Sequence, residues 1–253
     1  MLYGVNKDIG IVYNSQILCE KYYQNKLSPL FWRNKKFKND VRDKLVTIAE
    51  DFYKTLKLQI PIIDIQLTGS LANYNYTEAS DLDVHIIIDY SQINQDIELV
   101  KKALDGVRFI WNARHDIVIN NHDVELYVQD INEQHTASGL YSLHYNKWIK
   151  EPVYNPPEID ERDVELKFIA YTKEINKLQE CLERDDLELN DYNTISNRAV
   201  KLKEKIQQGR KDCLQQQDEF CVENIVFKRL RNSGAIEQLI NIASQAYDKF
   251  FSL

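Results

Sequence analysis

The apolar residues of this chain follow two different periods. Phe37, Val41, Leu45, Ile48 and Phe52 recur at spacings of three and four, which predicts a helix near residues 37–57 with one buried face. The period then shortens. Ile63, Ile65 and Leu67 alternate with Asp64, Gln66 and Thr68, the pattern of a half-buried strand. A loop, GSLANYNYTEAS, leads into a second alternating run, DLDVHIIID. Ile97, Val100, Leu104, Val107 and Ile110 then predict a helix over residues 94–113, with these five as its buried stripe. The segment DVELYVQ (123–129) alternates again and reads as a third strand. Helix, strand, loop, strand, helix and strand in that order describe an α+β arrangement with a short mixed sheet.

The composition changes at EPVYNPPEIDERD, where Pro152, Pro156 and Pro157 cannot continue a helix, so the stretch reads as a linker. The pattern divides the chain into domains at 1–155 and 156–253. Beyond the linker the periodicity is helical throughout. Val164, Phe168, Tyr171, Ile175, Leu178 and Leu182 form one stripe; Ile195, Ala199, Leu202 and Ile206 form another; Ile236, Leu239, Ile240, Ala243 and Tyr247 form a third. Helices with one apolar face need partners, which points to a C-terminal helical bundle.

Bulk properties narrow the function classes. The 253 residues suffice for a sizeable core, and a hydrophobic fraction of 43% with 28% charged residues is ordinary for a soluble globular protein. A formal charge of −7 argues against coating nucleic acid through overall charge and leaves a local basic groove open. No apolar run reaches the roughly 20 residues that span a bilayer. The opening residues lack the pattern of a secretion signal. Cys19, Cys181, Cys213 and Cys221 show no CxxC pairing and are expected as reduced thiols of a cytoplasmic protein.

Candidate chemistry lies between the first strand and the third. Gly69-Ser70 follows a strand where the backbone must turn. Glycine allows main chain to approach phosphate oxygens closely, and a serine hydroxyl can donate to the same oxygens. Eleven residues after Ser70 comes Asp81, then Asp83, at the opening of the second strand. Strand residues two apart share a side, so the two carboxylates are expected to project together while Val84, Ile86 and Ile88 face the core. Converging carboxylates repel unless cations separate them, and Mg²⁺ prefers such hard oxygen ligands together with substrate phosphate. In the third strand Val124, Leu126 and Val128 share one face, which leaves Glu125, Tyr127 and Gln129 on the other. A mid-strand acid is costly unless solvated, paired or metal-bound, so Glu125 is the third candidate ligand or proton acceptor.

GS, a loop, DLD on a strand, and a later strand with an acidic residue resemble the signature of the DNA-polymerase-β-like nucleotidyltransferases, over about residues 60–130. Within that superfamily DLDVHIIID and HDVELYVQD are most similar to nucleotidyltransferases of bacteriophage genomes. The resemblance implies a polymerase-β-type core followed by a helical bundle that closes one side of the substrate cleft. It implies two Mg²⁺ (or Mn²⁺) ions on Asp81, Asp83 and Glu125, with Gly69 and Ser70 gripping a nucleoside triphosphate. The implied reaction moves a nucleoside monophosphate to a hydroxyl and releases pyrophosphate. The acceptor is left open among a small molecule, a protein, a nucleotide and RNA, with no membrane or extended DNA partner expected. One departure is Glu125, where many members carry Asp, about one methylene shorter. The non-enzymatic alternative is a catalytically silent nucleotide-binding or antitoxin-like module of the same fold.

Weaker candidates surround this set. Tyr141 and Ser142, in SGLYSLHYNKWI, are candidates to stack on a base and bind phosphate, with core packing as the competing reading. Arg198, Lys201, Lys203, Lys205, Arg210 and Lys211 form a basic stretch, with Lys201 a candidate nucleotide contact and a solvated helix face the default. Lys228, Arg229 and Arg231 invite the same two readings. His115-Asp116 and His122-Asp123 are HD dipeptides of the kind found in metal phosphohydrolases, although the second leads into a strand. His85, by alternation, faces the carboxylates as a hydrogen-bonding neighbour.

Overall fold

The computed structural model describes residues 23–133, 137–155, 159–216 and 220–252. The chain divides into two compact units, one running Lys21–Pro156 and the other containing Pro157–Leu253. The class is mixed α/β.

The first unit opens with a two-stranded hairpin, β1 (Trp32–Arg33) and β2 (Lys36–Phe37), followed by α1 (Asn39–Leu56). Val41, Leu45, Ala49 and Phe52 make the buried face of α1, in keeping with its helical period. Then come β3 (Asp64–Thr68), β4 (Leu82–Ile88), α2 (Ile97–Arg114), β5 (Val118–Ile119), β6 (His122–Asp130), β7 (Leu140–Ser142) and β8 (Lys147–Lys150). Their sheet has the order β5-β6-β4-β3-β7-β8. The β4–β6 pair is parallel, with α2 in the connection between them; the other pairs are antiparallel.

Ile65, Leu67, Val84, Ile86, Ile88, Leu126 and Val128 are buried on one side of the sheet. On the other side, the half-buried strand expected at residues 63–68 is a correction. Every residue of β3 is buried, including Asp64, Gln66 and Thr68. The reason is a local polar network: the Asp64 carboxylate accepts from Ile65 N (2.8 Å), Gln66 Nε2 (2.9 Å) and Ser142 Oγ (2.6 Å). Alternating polarity here encodes the burial of a carboxylate that donors surround, which is tolerated, while Gln66 Oε1 is buried without a hydrogen-bond partner among the described residues.

The buried stripe expected on α2 is corrected too. Val100 and Leu104 are buried, while Ile97, Val107 and Ile110 are exposed. The packed face is turned toward Arg108 and Asn112. Asn112 Nδ2 donates to Leu126 O (3.2 Å), and Leu126 N donates to Asn112 Oδ1 (3.3 Å). β5 pairs only with the first residues of β6, so the edge beyond needs partners, and a side-chain amide supplies them.

The second unit comprises α3 (Glu161–Leu182), α4 (Leu189–Gln216), α5 (Val222–Asn232) and α6 (Ala235–Phe251). α4 packs chiefly on α6, where Ser196 Oγ also donates to Ala243 O (3.0 Å). Cys213 and Cys221 form a disulfide, with Cα atoms 6.1 Å apart. The expectation of reduced thiols is thereby corrected at this pair: the eight-residue spacing spans the α4–α5 connection and returns one sulfur to the other. Cys181 is free, and Cys19 lies outside the described residues. Among the described residues no helix is long and apolar enough to cross a membrane.

Ser142 is fully buried against Asp64, so Ser142→Ala removes a donor from a buried carboxylate. The expected cost is about 1–3 kcal/mol of stability, read by urea unfolding.

Candidate functional site

The β3–β4 turn shapes the site. Gly69 has φ +74° and ψ −163°, a backbone region essentially closed to residues with a Cβ, and a 3₁₀ turn, Ser70–Ala72, follows. A Cβ at residue 69 would lie 2.0 Å from Asp83 Oδ2. The Asp83 carboxylate therefore sits in the space that a side chain would take. Ser70 Oγ donates to Ser80 Oγ (2.8 Å), which also accepts from Thr77 N (2.9 Å). The Ser70 hydroxyl ties the ends of the 69–80 loop together.

Register assembles the carboxylates. Asp83 pairs with Thr68 of β3 on one side and with Glu125 of β6 on the other. Directly paired strand residues share a face, so Asp83 and Glu125 are lateral neighbours. Both are half-buried. Asp81 differs. It lies ahead of Leu82, where β4 begins, and the alternation that was expected to align it with Asp83 holds only inside the ladder. Among the described residues no group of three or more His, Cys, Asp and Glu side chains could hold a metal ion together. Of the expected trio of Asp81, Asp83 and Glu125, the strand register sets Asp83 and Glu125 side by side. The chemistry of that pair fits a divalent cation, because both offer hard carboxylate oxygens on one face beside a turn without a side chain.

Tyr127 supports the pair. Its hydroxyl donates to Glu125 Oε2 in a short hydrogen bond, and the Arg108 guanidinium lies over its ring at 4.5 Å. Burial, with the Asp83 and Glu125 charges close by, pushes the phenol far above its ordinary range, and Arg108 opposes this only in part. The phenol is therefore a permanent donor to Glu125. His85 stacks on Tyr127 with centroids 4.7 Å apart, and its Nδ1 lies 2.6 Å from Gln129 Oε1. An amide oxygen only accepts, so Nδ1 carries the proton. Alternation placed Tyr127 on the correct face, but its bond to Glu125 is a rotamer choice that residue spacing does not report.

The outlying candidates fall to structural roles. Tyr141 is 2% exposed and packs edge-on against Trp32, with its hydroxyl donating to Asn146 Oδ1 (2.8 Å). Tyr141 and Ser142 are both buried, and their hydroxyls bond Asn146 and Asp64 in the way the competing core-packing reading expects. Lys201 is exposed on α4 of the second unit. From the basic stretches, Arg210 bonds Asn224 Oδ1 (2.9 Å) and covers the Phe227 ring, while Arg229 pairs with Glu165 (2.8 Å). His122 is buried and donates from Nδ1 to Ser80 O (2.6 Å); His115 stacks on Trp111. Neither HD dipeptide builds a metal cluster among the described residues.

Comparison of the chain with family profiles, curated proteins and solved structures returns no match.

Two outcomes follow from this geometry. Gly69→Ala is expected to cost about 1–3 kcal/mol from its backbone conformation alone, measured by thermal melting. It should also displace Asp83, visible as shifted amide resonances on β4. Tyr127→Phe leaves the fold's apolar packing intact and frees Glu125 to change rotamer. For a cation held by Asp83 and Glu125, the expected signature would be a loss of Mn²⁺ affinity of about 10-fold or more, measured by titration calorimetry.

Proposed function

We propose that this protein is a metal-dependent nucleotidyltransferase of the DNA-polymerase-β-like type, which moves a nucleoside monophosphate from a nucleoside triphosphate to a hydroxyl acceptor. The observation that carries the reading is the lateral pairing of Asp83 and Glu125 on adjacent parallel strands, beside a turn that only glycine can make. The succession of β3, glycine turn, β4, α2 and β6 supports a polymerase-β-type core as the finer description of the mixed sheet.

Asp83 and Glu125 would hold the divalent cation, Mg²⁺ or Mn²⁺, with Asp81 able to join on closure of the site around substrate. The bound cation supplies charge stabilisation to the phosphoryl oxygens and acidifies the attacking hydroxyl. The chain's own residues do the positioning. Gly69 leaves room for the Asp83 carboxylate beside the turn, and Ser70 would exchange its bond to Ser80 for one to a phosphate oxygen. The acceptor oxygen bonds to the α-phosphorus as the bond from that phosphorus to the bridging oxygen of the β-phosphate breaks, and pyrophosphate leaves. Tyr127 holds Glu125 by Oε2, which leaves Oε1 to contact the cation or take the hydroxyl proton. Most of the acceleration in such a site comes from placement and electrostatics.

The silent nucleotide-binding or antitoxin-like module is favoured by one observation, the position of Asp81 outside the β4 ladder. Incubation with each α-phosphorus-labelled NTP and Mg²⁺ or Mn²⁺, with small-molecule, protein, nucleotide and RNA acceptors supplied, separates the two. Transfer of label by wild type is expected to drop by about 100-fold or more in Asp83→Asn and Glu125→Gln, since several kcal/mol of charge stabilisation is removed. Metal-dependent NTP binding without transfer would mean that the acceptor was not among those supplied; no transfer together with no metal-dependent NTP binding would overturn the enzyme reading in favour of the silent module.

A further inference from the structure

The β1–β2 hairpin holds a charge arrangement that the sheet chemistry does not use. Its turn is Asn34-Lys35, both with positive φ (49° and 60°), as a tight two-residue hairpin requires. The turn makes Arg33 and Lys36 direct cross-strand partners. Like charges placed directly opposite each other in an antiparallel pair repel. Lys38, two residues beyond Lys36 in extended backbone, falls on the same side. Neither Arg33, Lys36 nor Lys38 has a carboxylate partner among the described residues, whereas neighbouring Lys35 pairs with Glu151 and Arg42 with Asp43.

The opposite side of the hairpin is rigidly anchored. Trp32 and Phe37 are buried; Trp32 stacks on Trp148 at 4.5 Å, and Trp148 Nε1 donates to Lys35 O (2.8 Å). The three cations cannot relax apart by hairpin movement without breaking this aromatic packing.

They border a cavity of about 710 Å³, lined also by Phe37, Asn39, Asp40 and Asn146. Among the described lining residues Asp40 is the single carboxylate, against three cations. Asn146 accepts from Tyr141 with Oδ1, which leaves its Nδ2 as a further donor. The first turn of α1 begins at the same cavity, and its N-cap, Lys38, makes no side-chain cap. The leading amides of a helix have no intrahelical acceptor and favour negative charge, so they add to the cationic face.

We propose that this cavity is a binding site for a phosphate group carried on a small molecule. Its volume falls in the range of about 300–1,000 Å³ usual for small-ligand sites, which favours a compact ligand over a nucleic-acid backbone. Phosphate placed between Arg33 and Lys36 turns a repulsive pair into two charge-assisted contacts. The site is independent of nucleotidyl transfer and requires no divalent metal.

The test uses the full chain in EDTA, so that metal-dependent binding at Asp83 and Glu125 makes no contribution. Inorganic phosphate and phenyl phosphate are titrated by calorimetry and by amide resonances, with a labelled single-stranded RNA as a third arm. Wild type is expected to bind phenyl phosphate with shifts at Asn39 and Asp40. Arg33→Ala/Lys36→Ala is expected to weaken binding by about 10-fold or more while leaving the unliganded melting temperature unchanged or higher, because a repulsion is removed. Lys36→Gln serves as the second variant should the double one lose its fold, and a weaker loss of affinity is expected from it. Absence of phosphate binding, equal binding by the variants, or binding of RNA alone would each overturn the proposal.

Discussion

Asp83 has room for its carboxylate because residue 69 has no side chain. That single steric fact joins the two halves of the candidate site. The β3–β4 turn enters a backbone region reserved for glycine, and the vacated space is filled by an acid from the next strand. Register then carries the constraint sideways, since Asp83 fixes the neighbour position that Glu125 takes on β6. A shift of one residue in the β4–β6 pairing would put Glu125 in the core and Leu126 beside Asp83. The buried run of Val124, Leu126 and Val128 on β6 opposes any such shift, because it would be turned out of the core.

The polar side of the sheet is organised by satisfied hydrogen bonds. Asp64 is enclosed by three donors, and His85 is fixed by Gln129 and by the Tyr127 ring. Tyr127 holds Glu125 while Arg108 covers it. Each group restricts the next, so Glu125 is held by a supporting layer and does not depend on its own rotamer preference. Such preorganisation is the form in which a protein contributes most to phosphoryl transfer.

Much of this was legible in the chain, and the limits are physical. Alternation located β3, β4 and β6 and assigned Glu125 and Tyr127 to one face, because a strand's period of two is a rigid geometric rule. The same rule was carried to Asp81, which stands one residue ahead of the β4 ladder, where alternation alone does not fix the direction of a side chain. It also rendered β3 as half-buried, since polar letters do not say whether their partners are water or Ser142. The α2 stripe was read a fraction of a turn away from its packed face, because Asn112 was drawn inward by the β6 edge, a tertiary demand with no local signature. The Cys213–Cys221 pairing was hidden for a similar reason: it depends on the tertiary placement of the end of α4 against the start of α5. The two-residue hairpin carried Asn34-Lys35 in place of the usual glycine-containing turn, so its strands escaped notice.

The contact of Asn112 with β6 has a consequence for how this protein meets copies of itself. A side-chain amide offers the same donor and acceptor as a peptide, and here it occupies both backbone groups of Leu126 on the outer margin of the sheet. An incoming strand would find that margin already answered by a helix. At the far margin, β8 ends in lysines at both Lys147 and Lys150, and stacking identical copies edge to edge would bring those charges together. One rim is closed by mimicry and the other by repulsion, so a sheet built to expose carboxylates on its face is guarded against growing sideways into a polymer.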